Sequence, residues 1–137
     1  MPALRDYHIL ISHAWKYNDQ YETVKGWLEN APDFRCTDYS VPITNPLDVT
    51  SKRELAEKLD NRIMLCSCVI ILSGMYEAYS EWMNFEMETA KKYDKPIIGV
   101  KPWGQERIPL DVQANADVMV GWNSASVVQA VRDYALR

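Results

Sequence analysis

Residues 80–100, SEWMNFEMETAKKYDKPIIGV, predict a helix followed by a short apolar strand. Each helical residue advances about 100° around the axis, which places Glu86 in the middle of the apolar side. That side carries Trp82, Met83, Thr89, Ala90 and Tyr93, whereas Glu81, Asn84, Glu88, Lys91 and Lys92 fall on the solvated side. A buried carboxylate is costly unless it has partners or a task. Two interpretations stay open: Glu86 meets a backbone N–H or a basic side chain at the edge of the core, or it belongs to a functional site.

The remainder of the chain alternates strand and helix patterns. Strands are predicted at 7–12, 34–39, 66–73, 95–101 and 117–122, and helices at 18–30, 51–63, 79–93 and 124–137. A long loop is predicted at 40–50, and 102–116 is expected to be irregular with one helical turn. This alternation predicts a single α/β domain over residues 1–137. Its five-stranded parallel sheet has the flavodoxin-like order 2-1-3-4-5, with helices on both faces.

Length and composition indicate an ordinary globular domain and argue against several function classes. The 137 residues are 47% hydrophobic, enough for one domain with a substantial core. A net charge of -4 without a basic run argues against nucleic-acid binding. No apolar stretch approaches the roughly 20 residues that span a bilayer, and no signal-peptide pattern is present, so a cytoplasmic protein without a membrane role is expected. Three cysteines and two histidines show no zinc spacing, so no metal is expected, and Cys66 and Cys68 are predicted to be buried.

Ligands of such sheets bind at the carboxyl ends of the strands, near the point where the strand order reverses. That rule collects the segments 12–15, 39–46, 73–82 and 101–104, and it brings the first turns of the Glu86 helix to the cleft. The acid cluster of a phosphoacceptor receiver, the glycine-rich loop of a flavodoxin, the P-loop and GxGxxG are all missing from the sequence.

The predicted cleft therefore contains one acid and a set of rings. The candidate rings are Trp15, Tyr39, Tyr76, Tyr79, Trp82 and Trp103. Taken singly, each is more often a core or rim residue, but together they suit a flat base and a sugar. A carboxylate beside a sugar can bond ribose hydroxyls and stabilise an oxocarbenium-like transition state, so the site predicts cleavage of an N-glycosidic bond.

Four segments resemble a known family: HILISHAW, YSVPITNP, CSCVIILSG and YSEWMNFEMETAKKYDKPIIGVKPWG. They are similar to bacterial TIR-like domains, and the closest likeness is to the TIR subunit of Thoeris antiphage systems. The most specific motif is Trp82-x-x-x-Glu86 with Ser80 just before it. The first strand ends in Ser12-His13-Ala14-Trp15, which departs from eukaryotic TIR domains and favours the bacterial branch.

The resemblance implies an enzyme that cleaves NAD+ as a substrate and needs no cofactor. It makes Glu86 the catalytic residue and implies substrate contacts from Ser12, His13, Ala14, Trp15, Tyr39, Ser40, Asn45, Ser80 and Trp82. Arg35 and Lys101 are further candidates for contact with the diphosphate, although a solvated surface role is the default interpretation for each.

The same resemblance implies how the enzyme would act in the cell. Its product would be an ADP-ribose-derived nucleotide, expected to be cyclic, that activates a separate effector protein after a phage component has triggered the enzyme. Residues 40–50 match the loop that gates the site and mediates TIR–TIR assembly in this family.

Two other function classes stay open. A TIR domain can serve as an interaction module without catalysis, since a fold does not establish an activity. A nucleoside deoxyribosyltransferase-like enzyme would use similar chemistry on free nucleosides, with a glutamate as nucleophile.

Overall fold

The structure is a computed structural model that describes residues 6–12, 18–40, 49–73, 76–101 and 109–135, without the side chains of residues 18, 49–52, 55 and 76–81. Strands and helices alternate strictly along these residues. Their bounds are β1 (Asp6–Ile11), α1 (Asn18–Glu29), β2 (Arg35–Asp38), α2 (Val49–Leu65), β3 (Cys68–Leu72), α3 (Tyr76–Lys92), β4 (Ile97–Val100), α4 (Leu110–Asn115), β5 (Val118–Val120) and α5 (Ser124–Tyr134).

The strands form one parallel sheet in the order β2-β1-β3-β4-β5, which confirms the predicted order. Ile9 of β1 pairs with Asp38 of β2 and with Cys68 of β3, and Ile70 of β3 pairs with Ile98 of β4. β3 and β4 are buried along their whole length, as expected for inner strands covered on both faces. The strand order reverses between β1 and β3, which makes this gap the topological switch point.

The helices form two pairs, because α1 packs against α5 and α2 packs against α3. The chain runs from β1 outward to β2 and then returns across β1 to β3. Right-handed crossovers that run in opposite directions put their helices on opposite faces of a sheet. The two pairs therefore cover the two faces, as predicted.

Several element ends differ from the predicted ones by a few residues. α2 begins at Val49 and α3 at Tyr76, two and three residues earlier than the periodicity predicts. Helix ends follow capping contacts that the apolar period does not encode. After α3, Asp94 has a left-handed φ of 55°, and the Lys95 N–H donates to the Ala90 carbonyl at 2.8 Å. The helical turn predicted within 102–116 is α4, which has 6 residues.

The described part of the chain contains no helix that is long and apolar enough to cross a bilayer. Its His, Cys, Asp and Glu side chains form no group of three that could hold a metal ion. Cys66 and Cys68 are free thiols within the core, which confirms their predicted burial.

Candidate functional site

Ser12 and Glu86 meet at the switch point. The Ser12 N–H donates to the Ile70 carbonyl at 2.8 Å, so the residue extends the β1–β3 ladder by one step beyond Ile11. Its hydroxyl donates to Glu86 Oε1 at 3.1 Å, and both residues are 1% exposed. A carboxylate thus lies at the carboxyl edge of the sheet, where flavodoxin-like folds bind their ligands.

The amphipathic pattern of α3 explains how Glu86 comes to be buried. Glu86 shares the buried face with Trp82, Met83, Met87, Thr89 and Ala90, while Glu88, Lys91 and Lys92 are exposed. This confirms the predicted position of the acid on the apolar side. Its described partner is a serine hydroxyl, rather than the backbone N–H or the basic side chain that an acid at the edge of the core would meet.

The surroundings of Glu86 favour its neutral form. Burial raises the pKa of its carboxyl from an ordinary 4.5 to about 8, while the hydrogen bond from Ser12 acts in the opposite direction. The protonated acid therefore predominates at neutral pH in the free protein. A cationic group that enters the cleft would favour the carboxylate by direct charge interaction. This is a suitable setting for a carboxylate that acts on a positively charged substrate.

A second cluster of polar side chains forms hydrogen bonds that hold the end of β1 beside Ser12. The Ile11 N–H donates to Ser40 Oγ at 2.7 Å, and the Ser40 hydroxyl donates to Asp38 Oδ1. Asp38 also accepts the Ser40 N–H at 2.8 Å and the Tyr21 hydroxyl. Ser40 therefore has structural partners on both sides, and its predicted contact with substrate stays a prediction. Sequence reasoning did not single out Asp38 or Tyr21, although an Asp two residues before a Ser is a turn signal.

Tyr39, the next predicted contact, packs toward α2. Its ring meets His8 edge-on at 5.1 Å and lies 5.7 Å from the guanidinium carbon of Arg62 in the last turn of α2. Its N–H donates to the Ile9 carbonyl at 2.7 Å and so continues the β1–β2 ladder. The ring contacts thus tie Tyr39 to β1 and α2, and its substrate contact stays a prediction.

Trp82 lies one helical turn before Glu86 on the same face. It is 7% exposed and packs edge-on against Phe85 at 6.0 Å. Among the buried side chains that the structure describes, its indole N–H is the polar group without a hydrogen-bond partner. The Trp82 indole N–H is therefore available as the hydrogen-bond donor for the predicted contact with substrate.

Other predicted contacts lie outside the described residues. These are His13, Ala14, Trp15 and Asn45, together with the ring of Trp103 and the side chains of Ser80, Tyr76 and Tyr79, whose backbones belong to α3. Arg35 requires a correction, because it begins β2 in register with Asp6 and so lies at the amino edge of the sheet, opposite the cleft. Lys101 follows β4 at the carboxyl edge and is exposed.

Fold and site together define a flavodoxin-like α/β domain with a buried acid at the edge of the sheet where such folds bind ligands. The family model "Thoeris protein ThsB, TIR-like domain" matches residues 10–107, and the chain belongs to this family. The predicted likeness to the TIR subunit of Thoeris systems is thereby confirmed. A comparison with curated proteins gives no significant match.

A solved structure with a similar fold is the CMP N-glycosidase BcmB of Clostridium botulinum. It aligns with a TM-score of 0.57 at 13% sequence identity, over 91% of this chain and 98% of the other. At this identity the likeness concerns the fold, and it agrees with the sheet order described above.

Proposed function

We propose that the protein is an NAD-cleaving TIR enzyme in which Glu86 is the catalytic residue. The observation that carries the proposal is the buried Glu86–Ser12 pair at the switch point of the sheet. Family membership supports it, because the match spans both members of the pair. Among the residues that the structure describes, burial and the Ser12 hydroxyl are the causes that set the pKa of Glu86, and neither is a basic side chain.

The proposed reaction breaks the bond between the nicotinamide nitrogen and C1′ of the ribose. The bonding electron pair leaves with the nitrogen, which neutralises the pyridinium ring and leaves positive charge on the sugar. The Glu86 carboxylate stabilises this oxocarbenium-like charge in a buried setting, where such an interaction is stronger than in water. An acceptor then attacks C1′: water gives ADP-ribose, and a nucleophilic atom within the molecule gives a cyclic product.

The positive charge of the nicotinamide ring also affects the protonation of Glu86. This charge favours loss of the Glu86 proton, so substrate binding itself generates the carboxylate. A neutral nucleoside does not provide this charge. The raised pKa of Glu86 thus supports a cationic substrate such as NAD+ over a neutral one.

In the cell, we propose that the released ADP-ribose-derived nucleotide, in cyclic form, signals to a separate effector within Thoeris antiphage defence. We further propose that a phage component triggers the enzyme and that TIR–TIR contacts assemble it. These partners follow from the family, and no nucleic acid or membrane is required.

The experiment is to incubate the purified protein at high concentration with NAD+ and to resolve the products by HPLC and mass spectrometry. Glu86→Gln removes the carboxylate while it keeps the shape and the acceptor for Ser12. Loss of the catalytic carboxylate is expected to reduce nicotinamide release by at least about 100-fold. Glu88→Gln is the matched control, because it changes the same residue type on the exposed face of the same helix.

The companion product identifies the reaction: the mass of ADP-ribose indicates hydrolysis, and that mass less one water indicates cyclisation. Undiminished turnover in a folded Glu86→Gln variant would refute the proposed mechanism. If neither protein releases nicotinamide, also in lysate of phage-infected cells, the protein is an interaction module and self-association is its expected readout.

A second candidate is an N-glycosidase that acts on free nucleotides or deoxynucleosides. The specific observation in its favour is the similar fold of a structure titled CMP N-glycosidase. The same assay with CMP and deoxynucleosides distinguishes the two, since release of free base from these compounds without nicotinamide release from NAD+ would favour the second candidate.

A further inference from the structure

The end of β1 depends on side chains for one of its hydrogen bonds. β2 ends at Asp38, which pairs with Ile9, so the ladder provides no β2 carbonyl for the Ile11 N–H two residues further along β1. An unpaired backbone donor at this depth would be costly, because Ile11 is 1% exposed. Ser40 Oγ takes the place of the missing carbonyl and accepts the Ile11 N–H at 2.7 Å.

The Ser40 hydroxyl is itself held in place. It donates to Asp38 Oδ1, and the same oxygen accepts the Ser40 N–H at 2.8 Å, so the residue has a fixed rotamer. The other Asp38 oxygen accepts the Tyr21 hydroxyl from α1. The end of β2 and helix α1 therefore both support the backbone of β1 one residue before Ser12.

The position of Ser12 decides the length of its bond to Glu86. The bond is 3.1 Å long, slightly beyond the usual range for O–H···O bonds, so a further small shift of the β1 end would weaken it. The opposite side of β1 is fixed at the same point by the bond from the Ser12 N–H to the Ile70 carbonyl. Ser40 supplies the corresponding restraint on the β2 side.

We propose that Ser40, oriented by Asp38, is a positioning residue that holds the Ser12 hydroxyl against Glu86. The catalytic meaning of this role rests on the function proposed above, but the coupling between Ser40 and Glu86 does not require turnover. Loss of Ser40 weakens the bond that favours the Glu86 carboxylate, and so makes the acid harder to ionise. Ser40 thereby acts on the chemistry through Ser12, and this role does not require contact between Ser40 and the substrate.

Other titratable groups near this cluster have to be followed in the same experiment. Tyr21 bonds to Asp38 from α1, and burial is the main cause that raises its pKa above the ordinary value of 10. Burial first and the Asp38 charge second raise the pKa of the Cys36 thiol to about 11. Burial raises the pKa of the Cys66 thiol to about 12, with opposing charge effects from Lys95 and Asp38. The pKa values of these groups lie above that of Glu86, so these groups keep their protons while Glu86 titrates.

The test is a direct titration of Glu86 by NMR on protein labelled with ¹³C at glutamate side-chain carboxyls. The Glu86 signal is assigned by its loss in Glu86→Gln, and its high midpoint separates it from exposed glutamates. Ser12→Ala is the reference variant. Loss of its hydrogen bond to a charged group is expected to raise the Glu86 midpoint by about one pH unit. Ser40→Ala is expected to raise the midpoint by about half as much.

Ser67→Ala is the matched control. Ser67 Oγ also accepts a backbone N–H of β1, from His8 at 3.2 Å, but four residues before Ser12 and at the other end of the strand. We expect Ser67→Ala to lower the thermal unfolding midpoint about as much as Ser40→Ala does, and to leave the pH midpoint of the Glu86 titration unchanged. Asp38→Ala is the second test variant, because it removes the acceptor that orients Ser40. Loss of the Asp38 charge by itself would lower the Glu86 midpoint, so a rise in this variant reports the loss of positioning.

The inference is overturned if the Glu86 midpoint stays unchanged in folded Ser40→Ala and Asp38→Ala, or if Ser67→Ala shifts it equally. The titration needs no substrate, so it separates this inference from the proposed function. A shifted midpoint in a protein that does not cleave NAD+ refutes only the function, whereas NAD+ cleavage with an unchanged midpoint refutes only the positioning role.

Discussion

Two carboxylates contact helix α3, and their surroundings differ in every respect. Glu86 lies on the buried face with 1% exposure, and its described partner is the neutral hydroxyl of Ser12. Asp60 reaches α3 from α2, where it accepts the Tyr93 hydroxyl at 2.7 Å and the Lys92 ammonium at 3.1 Å. The pKa of Asp60 is lowered, chiefly by the bond from Tyr93, whereas burial raises the pKa of Glu86 to about 8.

The difference separates a carboxylate whose charge the fold stabilises from one whose ionisation the fold opposes. Asp60 joins α2 to α3 and has the donors that stabilise its charge. Glu86 is placed where its ionised form costs free energy, and the approach of a cation would reduce that cost further than the Ser12 hydrogen bond does. An acid of the second kind at a ligand-binding edge is a candidate for catalysis, because active sites are where such costs are maintained.

The largest expected effect is a pH-dependent gain of stability in Glu86→Gln. The folded protein keeps the Glu86 proton up to a pH of about 8, whereas the unfolded chain releases it near 4.5. Between these values the unfolded state binds fewer protons, so wild-type stability falls as the pH rises. Relative to wild type, the free energy of unfolding of the variant is expected to increase with pH across this window, by at most about 1.36 kcal/mol per pH unit. Urea unfolding between pH 4 and 9 measures the difference.

Glu88→Gln is the control for this series, because Glu88 is exposed on the same helix. Its difference from wild type is expected to stay nearly constant with pH. A flat difference for Glu86→Gln as well would mean that Glu86 is ionised in the folded state, and the contrast with Asp60 would then disappear.

The next effect concerns the pH dependence of NAD+ cleavage in Ser12→Ala. If the carboxylate is the active form, kcat/KM rises with pH and levels off above the pKa of Glu86 in the free enzyme. Loss of the Ser12 bond raises that pKa, so the whole profile moves to higher pH, and the rate at pH 7 is expected to fall about 10-fold. Initial rates of nicotinamide release from pH 6 to 9 measure the shift.

Ser73→Ala is the matched control for the Ser12 variant. Ser73 is a buried serine directly after β3, and its hydroxyl donates to the Val100 carbonyl rather than to Glu86. We expect Ser73→Ala to lower the stability of the protein and to leave the pH profile of kcat/KM unchanged. An equal displacement in both variants would attribute the effect to loosening of the sheet edge and not to the Ser12 bond.

The position of Glu86 could be predicted because it follows from local geometry. The spacing of Trp82, Met83 and Ala90 around it defines one face of a helix, and the alternation of strands and helices places that helix at the cleft. The order of the sheet was predicted from the same alternation, since five strands alternating with helices favour the flavodoxin-like order. Sequence periodicity contains both kinds of information.

The partners of Glu86 could not be predicted in the same way. Ser12 is 74 positions away in sequence, and which hydroxyl reaches the acid depends on the register between β1 and β3. The bond between Ser40 and Ile11, 29 positions apart, depends on where β2 ends, and strand ends are among the least certain features of a periodic pattern. Arg35 was considered for the diphosphate from its charge alone, without knowledge of the edge at which it lies.

The smallest effect on stability and turnover is expected for Asp60→Asn, the counterpart of Glu86→Gln at the second carboxylate. The lowered pKa means that Asp60 stabilises the fold above its unfolded value of 3.8 and that this contribution is lost as the pH falls below it. The variant should therefore be slightly less stable than wild type at neutral pH and equal to it in acid, which is the opposite trend to Glu86→Gln. Because Asp60 belongs to the contact between α2 and α3 and not to the switch point, NAD+ turnover should stay within about twofold of wild type. Unfolding curves at pH 3 and pH 7, with nicotinamide release measured on the same samples, test both statements. A loss of turnover comparable to that of Glu86→Gln would mean that Asp60 on α2 is also needed for the reaction, and that the two carboxylates do not have separate structural and chemical roles.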